Sequence, residues 1–225
     1  MTDARGPWWT ALAAPTLMAV GLAACASSGT PAPVVILPAG AASSPAAVAR
    51  ADQGRPPYTR ADADFMSGMI SHHAQAVLMA GWAPSHGASA SVRALCERIV
   101  VAQKDEIATM QRWLRERGEP VPEADPRGHL MPGMDHHMLM PGMLTPEQMT
   151  QLDAARGAEF DLLFLRFMIQ HHEGALTMVE TLFGSYGAAH DEDIFKLASD
   201  VHADQTSEIE RMRTMLTAYS AGGSR

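Results

Sequence analysis

From residue 58 onward, apolar side chains recur at intervals of three and four, the period of one helix face, and no stretch alternates at two. The spacing predicts a helix over about 62–83, stopped by Pro84 and Gly87, and a second over about 89–117, stopped by Gly118 and Pro120. Residues 119–144 are broken by proline and glycine and read as a loop. Thr145-Pro146-Glu147-Gln148 has the form of a helix start, with threonine as cap, proline in the first turn and glutamine reaching back. That short helix ends near Gly157. Two long helices are expected over about 158–183 and 191–219, parted by Gly184 and Gly187.

The pattern occurs twice. An offset of 99 superposes Asp62 on Asp161, Phe65 on Phe164, Met69 on Met168, His72-His73 on His171-His172 and Met79 on Met178. An offset of 102 superposes Gln103 on Gln205, Glu106 on Glu208 and Met110 on Met212. One helical hairpin cannot bury its apolar faces, so two copies predict an all-α four-helix bundle. The bundle domain is expected over 59–220, with repeat one at about 60–118, repeat two at about 145–219, and the loop 119–144 between the second and third long helices.

Ahead of it, residues 7–24 form an apolar run ending in small residues, as in a secretory signal. Leu22-Ala23-Ala24-Cys25 resembles the bacterial lipobox. The expectation is a lipoprotein-type signal peptide over 1–24, cleavage before Cys25 and acylation of its thiol. The mature protein would then be a membrane-anchored lipoprotein on the extracytoplasmic side, in the periplasm or on the cell surface, with membrane lipid as a partner. An ordinary signal or an uncleaved anchor is the other reading. Residues 25–58, dominated by Ala, Ser, Pro and Gly, read as a disordered tether.

Polar residues interrupt the apolar stripes at fixed places. On a helical wheel His72, His73, Met69, Met79 and Asp62 fall on one inward side, and His171, His172, Met168, Met178 and Asp161 repeat the arrangement. The facing stripes bring Gln103, Glu106 and Met110, and Gln205, Glu208 and Met212. Adjacent residues stand 100° apart on a helix, so one histidine of each pair should face the axis and the other a helix seam. Such groups need partners if buried. In one reading they satisfy each other by hydrogen bonds. In the other they hold a metal, with the four histidines as nitrogen donors, the six methionines as sulfur donors, and Asp62, Asp161, Glu106 and Glu208 as imidazole orienters or occasional ligands.

Imidazole with thioether suits copper, Cu(I) through sulfur and Cu(II) through nitrogen, with silver as the close mimic; zinc wants cysteine. Composition favours the metal: the chain has 16 Met and 10 His against six Phe and three Tyr. The loop adds HLMPGMDHHMLMPGM, where Met131, Met134, His136, His137, Met138, Met140 and Met143 offer a second, softer site, a lid or an adaptable partner surface. The net charge of −8 argues against nucleic acid. No Glu-x-x-His occurs, which weakens a di-iron or di-manganese oxidase. No nucleophile is paired with a base, and Cys96 reads as a small core residue.

The motifs DADFMSGMISHHAQA, QKDEIATM, GAEFDLLFLRFMIQHHEGA and QTSEIERM resemble bacterial domain-of-unknown-function family 305 over about residues 60–218. The resemblance implies a ferritin-like four-helix bundle, usually exported, with some members binding copper outside the cytoplasm in metal resistance. The first copy has HHAQA where the second has HHEGA, so Glu173 has no counterpart in it. Together these features predict an extracytoplasmic copper-binding protein, not an enzyme, for buffering, resistance or handover to other copper-handling proteins. A ferritin-like metal-dependent redox enzyme and a non-metal envelope module are the alternatives.

Overall fold

Four of the five helices begin where a side chain accepts from the open amides of the first turn, and the one that begins at Ala158 follows Gly157 with no side-chain cap. The computed structural model describes residues 57–127 and 139–222. The signal-type segment 1–24, Cys25, most of the tether, and Met131, Met134, His136, His137 and Met138 lie outside the described residues. Helix α1 (Arg60–Gly81) opens on a capping box of Thr59 and Asp62, and α2 (Ala90–Arg117) opens on Ser89 and ends on Gly118 at φ 70°. The short α3 (Pro146–Ala154) carries the expected Thr145/Gln148 box. Helices α4 (Ala158–Gly184) and α5 (Glu192–Gly222) complete the fold, and the described residues contain no strand.

Boundaries differ from expectation by a few residues: the short helix stops at Ala154, before Gly157, and the last runs on to Gly222. Helix α1 stops at Gly81, because Trp82 to Gly87 form turns whose amides bond back to Met79, Ala80 and Trp82 carbonyls. Tyr58, expected as the last tether residue, is half-buried against the core: its ring meets Trp113 edge-on at 5.1 Å and its hydroxyl donates to Glu119 at 2.7 Å.

Helix α1 packs on α2, α4 on α5, and the two hairpins meet through α1 and α4. The apolar interior is divided in two. One cluster holds Phe65, Met66 and Met69 of α1, Met110 and Trp113 of α2, Val179 and Leu182 of α4, and Ile194 and Val201 of α5. The other holds Met79 of α1, Leu95 and Ile99 of α2, Phe160, Phe164 and Met168 of α4, and Met212 of α5. On every long helix the residues between the clusters are polar: His72-His73, Gln103 and Glu106, His171-His172, Gln205 and Glu208. A polar layer thus crosses the middle of the molecule between two dry ends.

Asp62 and Asp161 do not reach that layer. Ten residues of helix separate each from its first histidine, about 15 Å of rise. Asp62 accepts from the Ala189 amide at 2.7 Å, in the turn of the second hairpin, as well as from Thr59. Asp161 accepts from the Ser89 amide at 3.2 Å, in the turn of the first, and from the Tyr219 hydroxyl. The helical wheel puts both on the inward side but is blind to axial distance. They staple each hairpin's turn to the other hairpin rather than orient imidazoles. Among the described residues no helix is long and apolar enough to cross a membrane.

Candidate metal centre

Where α1 and α4 cross, the rings of His72 and His171 meet at a tilt of 42°, centroids 3.9 Å apart. The other member of each pair turns to a seam, as adjacent helical positions must. His73 Nε2 lies 2.8 Å from Glu106 Oε2 on α2, out of line for a hydrogen bond, and His172 Nε2 donates to Glu208 Oε2 on α5 at 2.8 Å. All four imidazoles are fully buried.

Their second nitrogens decide what the layer can do. His72 Nε2 lies 2.9 Å from the Pro141 carbonyl, which can only accept, so Nε2 carries the hydrogen and Nδ1 of the neutral ring keeps a bare lone pair. The Glu208 carboxylate likewise occupies His172 Nε2, and Nδ1 of that ring is left without a hydrogen bond among the described residues. Nδ1 of His72, His73 and His172, and both nitrogens of His171, have no hydrogen-bond partner among the described residues. Burial, then the neighbouring His73, pushes the His72 pKa down to about 3, although the Pro141 carbonyl works against this. Burial and His72 hold His171 well below the histidine range. His72 and His171 are therefore neutral imidazoles with unused lone pairs at the centre of the layer.

His86 is an internal control. It is also buried, between Trp82 and Phe160, but Nδ1 meets Ser85 Oγ at 2.9 Å and Nε2 meets the Asp153 carbonyl at 2.9 Å. A histidine kept for structure has both ring nitrogens used.

The second MPGM sequence supplies the carbonyl that fixes His72. Residues 140–144 lie as a strap along α1 and α4. A Cβ on Gly174 would come 2.0 Å from the Pro141 oxygen, and one on Gly142 (φ 76°) 2.7 Å from Gly174 Cα, so two glycines permit the approach. Gln75, the repeat counterpart of Gly174, grips both backbone groups of Leu144: its Oε1 accepts from the amide at 2.7 Å and its Nε2 donates to the carbonyl at 3.2 Å. Sequence alone does not single out Gln75 or Gly174, although the break in the repeat, HHAQA against HHEGA, marks both. Met140 and Met178, expected in separate sites, both lie over Gly68, whose Cβ would meet Met140 Sδ at 3.1 Å and Met178 Cε at 3.5 Å. Met143 is buried beneath the strap's end.

The remaining methionines divide by cluster. Met69 and Met168 sit one turn before His72 and His171, and Met110 and Met212 line the same two clusters from α2 and α5. Met79 is two turns beyond His72, about 10 Å along the helix, too far to share its coordination sphere. On the seam between α2 and α5, burial and then Glu106 and Glu208 raise the pKa of Asp204. Among the described residues no three His, Cys, Asp or Glu side chains stand close enough to chelate one ion. Cys96 is buried and its thiol pushed up to about 12, chiefly by that burial.

This layer lies inside a match to DUF305, a domain of unknown function, over residues 62–216. The chain belongs to the DUF305 family. It is similar to a DUF305 protein from Streptomyces coelicolor, with 29% identity and a TM-score of 0.60, over 70% of this chain and 93% of that one. It is similar to a DUF305 fragment from Deinococcus radiodurans, with 27% identity and a TM-score of 0.61, over 72% of this chain and 99% of that one. CopM, solved in a Cu(II)-bound form, shows 26% identity and a TM-score of 0.56 over 70% of this chain and 97% of its own. CopM has also been solved with Cu(I) and with Ag, and both forms match this DUF305 chain. Among curated proteins nothing matches.

Proposed function

We propose that this DUF305 protein binds copper outside the cytoplasm, holding Cu(I) or Cu(II), or silver in its place, at the histidine layer for buffering, resistance or handover. One observation carries the reading: His72 and His172 each commit Nε2 to a fixed acceptor and present a buried Nδ1 that no described residue uses. Histidines that ligate metals are held in this way, with the second nitrogen donating to a carbonyl or carboxylate. His86 shows the alternative within the same chain. Neutral imidazoles with thioethers one turn away suit copper better than a hard cation, which wants many oxygens. The metal-bound forms of CopM support the same class of ligand.

In this reading His72, His171, His73 and His172 are the nitrogen donors, and Met69, Met168, Met110 and Met212 the sulfur donors. Glu106 and Glu208 orient the seam histidines. Met140 and Met178 form the start of a softer patch that Met131, Met134, His136, His137 and Met138 can extend. The four long helices act as a ferritin-like bundle. Cys25, acylated after removal of 1–24, tethers the domain to a membrane through residues 25–58.

Titration of the apo-protein with Cu(I) against a competing chelator tests the centre. His72→Gln with His171→Gln should weaken binding at least 100-fold, on the order of 3 kcal/mol. Wild-type copper uptake by that variant would end the proposal. Membrane fractionation of Cys25→Ala tests the anchor; retention in the membrane fraction would overturn it.

A further inference from the structure

The seam between α2 and α5 carries a second constellation. A cleft of about 410 Å³ opens there, lined by Gln103 and Glu106 from α2 and by Asp204, Gln205 and Glu208 from α5, and also by Arg98 and Arg211. Gln103 and Gln205 are repeat counterparts, 3% and 2% exposed, and among the described residues neither amide has a hydrogen-bond partner on oxygen or nitrogen. An unpartnered buried amide lowers stability. Here it occurs at both related positions, and both face the same cleft. Glu106 and Glu208 join that cleft to the buried layer, since Oε2 of each lies 2.8 Å from a histidine Nε2. A trough continues from the cleft along the seam past Asp105, Asp193 and Asp200, with Arg112 and Lys196 also lining it. Lys196 is spent on Asp200. Carboxylates outnumber bases along the whole path, and a negative cleft with low-dielectric walls concentrates cations.

We propose that this cleft is a cation site of carboxylate and amide oxygens, where a hydrated metal ion is gathered from solvent before it reaches the histidine layer. The gathering step stands on the cleft alone; the onward passage past Glu106 and Glu208 rests on the copper reading above. The oxygens do not close into a chelate, so the ion keeps much of its water and its residence is short, as a transit site requires. The ion keeps its oxidation state, and only water is exchanged for histidine nitrogen and methionine sulfur. The strap closes the α1–α4 seam, leaving the α2–α5 seam as the hydrated approach.

Mn²⁺ is a suitable probe of gathering, because it prefers oxygen ligands and broadens nearby NMR signals. Added to the full-length 15N-labelled protein without copper, it should first broaden amides of 102–107 and 204–209. The variant Asp204→Asn with Gln103→Leu and Gln205→Leu should lose that broadening several-fold. Broadening spread evenly over exposed acids, or unchanged in the variant, would overturn the site. Passage is read by stopped-flow uptake of Ag⁺, which should be several-fold slower in Asp204→Asn and less sensitive to salt. Equal uptake rates would overturn the passage while the Mn²⁺ map stands. A wild-type protein that takes up no Ag⁺ would overturn the copper reading, and the passage with it, and again leave the Mn²⁺ result intact.

Discussion

Gln75 and Gln103 are buried glutamines of the same hairpin, and their surroundings are opposite. Gln75, at the strapped α1–α4 seam, uses its amide oxygen and nitrogen on Leu144, and its nitrogen also reaches the Pro126 carbonyl. Gln103, at the open α2–α5 seam, uses neither on any described residue, and its counterpart Gln205 repeats the omission. The strapped seam spends its polar groups on a fixed backbone segment, which sets the tautomer of His72. The open seam leaves polar groups unspent, next to carboxylates. The first is a scaffold for the histidine layer and the second a candidate access to it.

The largest effect expected from breaking this comparison is at Gly174. In Gly174→Ala the new methyl meets the Pro141 oxygen and carbonyl carbon, 2.0 and 2.4 Å away, and neither is a flexible side-chain end. Overpacking of this kind destabilises by about 1–3 kcal/mol. Displacing the Pro141 carbonyl also releases His72 Nε2, which should weaken copper binding by about 10–100-fold. Gly81→Ala is the control. A Cβ there meets nothing within 4 Å, and replacing the last helical glycine should be neutral or stabilising by up to about 1 kcal/mol. Thermal unfolding of both variants checks the contrast. Equal melting temperatures would mean that the strap does not lie against α4 as described.

A smaller and sign-changing effect separates the glutamines. Gln75→Leu strands the Leu144 amide and carbonyl and should destabilise by about 2 kcal/mol. Gln103→Leu and Gln205→Leu remove amides that have no partner among the described residues, and should be neutral or stabilising by about 1 kcal/mol. Chemical denaturation measures all three. If all three lose stability equally, Gln103 and Gln205 are satisfied in solution and the open seam is not functionally unspent.

The helices, the repeat and the paired histidines are legible in the sequence because each is local and periodic. Apolar spacing defines α1, α2, α4 and α5, and the Thr145-to-Gln148 capping box identifies α3. The strap is not legible, because Pro141 meets His72 across 69 residues of chain. Its trace is a departure from symmetry at one position, glutamine in the first copy and glycine in the second. That departure has meaning only once the two positions are seen to hold the same segment from two helices. Asp62 and Asp161 mislead for the opposite reason. Their repeat invites a shared role at the histidines, while the shared role is to cap the opposite hairpin's turn. The Thr59–Asp62 capping box is the local sign of it.

The smallest expected effect per unit of change is a pH slope, and it sharpens the comparison from the histidine side. The His72 pKa falls from the unfolded 6.5 to about 3 on folding, mainly through burial. Between those values the unfolded chain binds a proton that the folded chain refuses, so unfolding is favoured as pH falls. The contribution is fully present above pH 6.5 and is lost progressively toward pH 3, at roughly 1 kcal/mol per pH unit. His171, lowered for the same reason, acts in the same direction. Copper held by these nitrogens should survive to lower pH than on exposed histidines, because protons compete poorly for them. In Gly174→Ala, water admitted along the displaced strap should weaken the burial, raise the His72 pKa and flatten the slope. Denaturation of wild type and variant from pH 7 to pH 4 measures this. Parallel slopes would show that burial of His72 does not depend on the strap, and would leave the Pro141 carbonyl as its whole contribution.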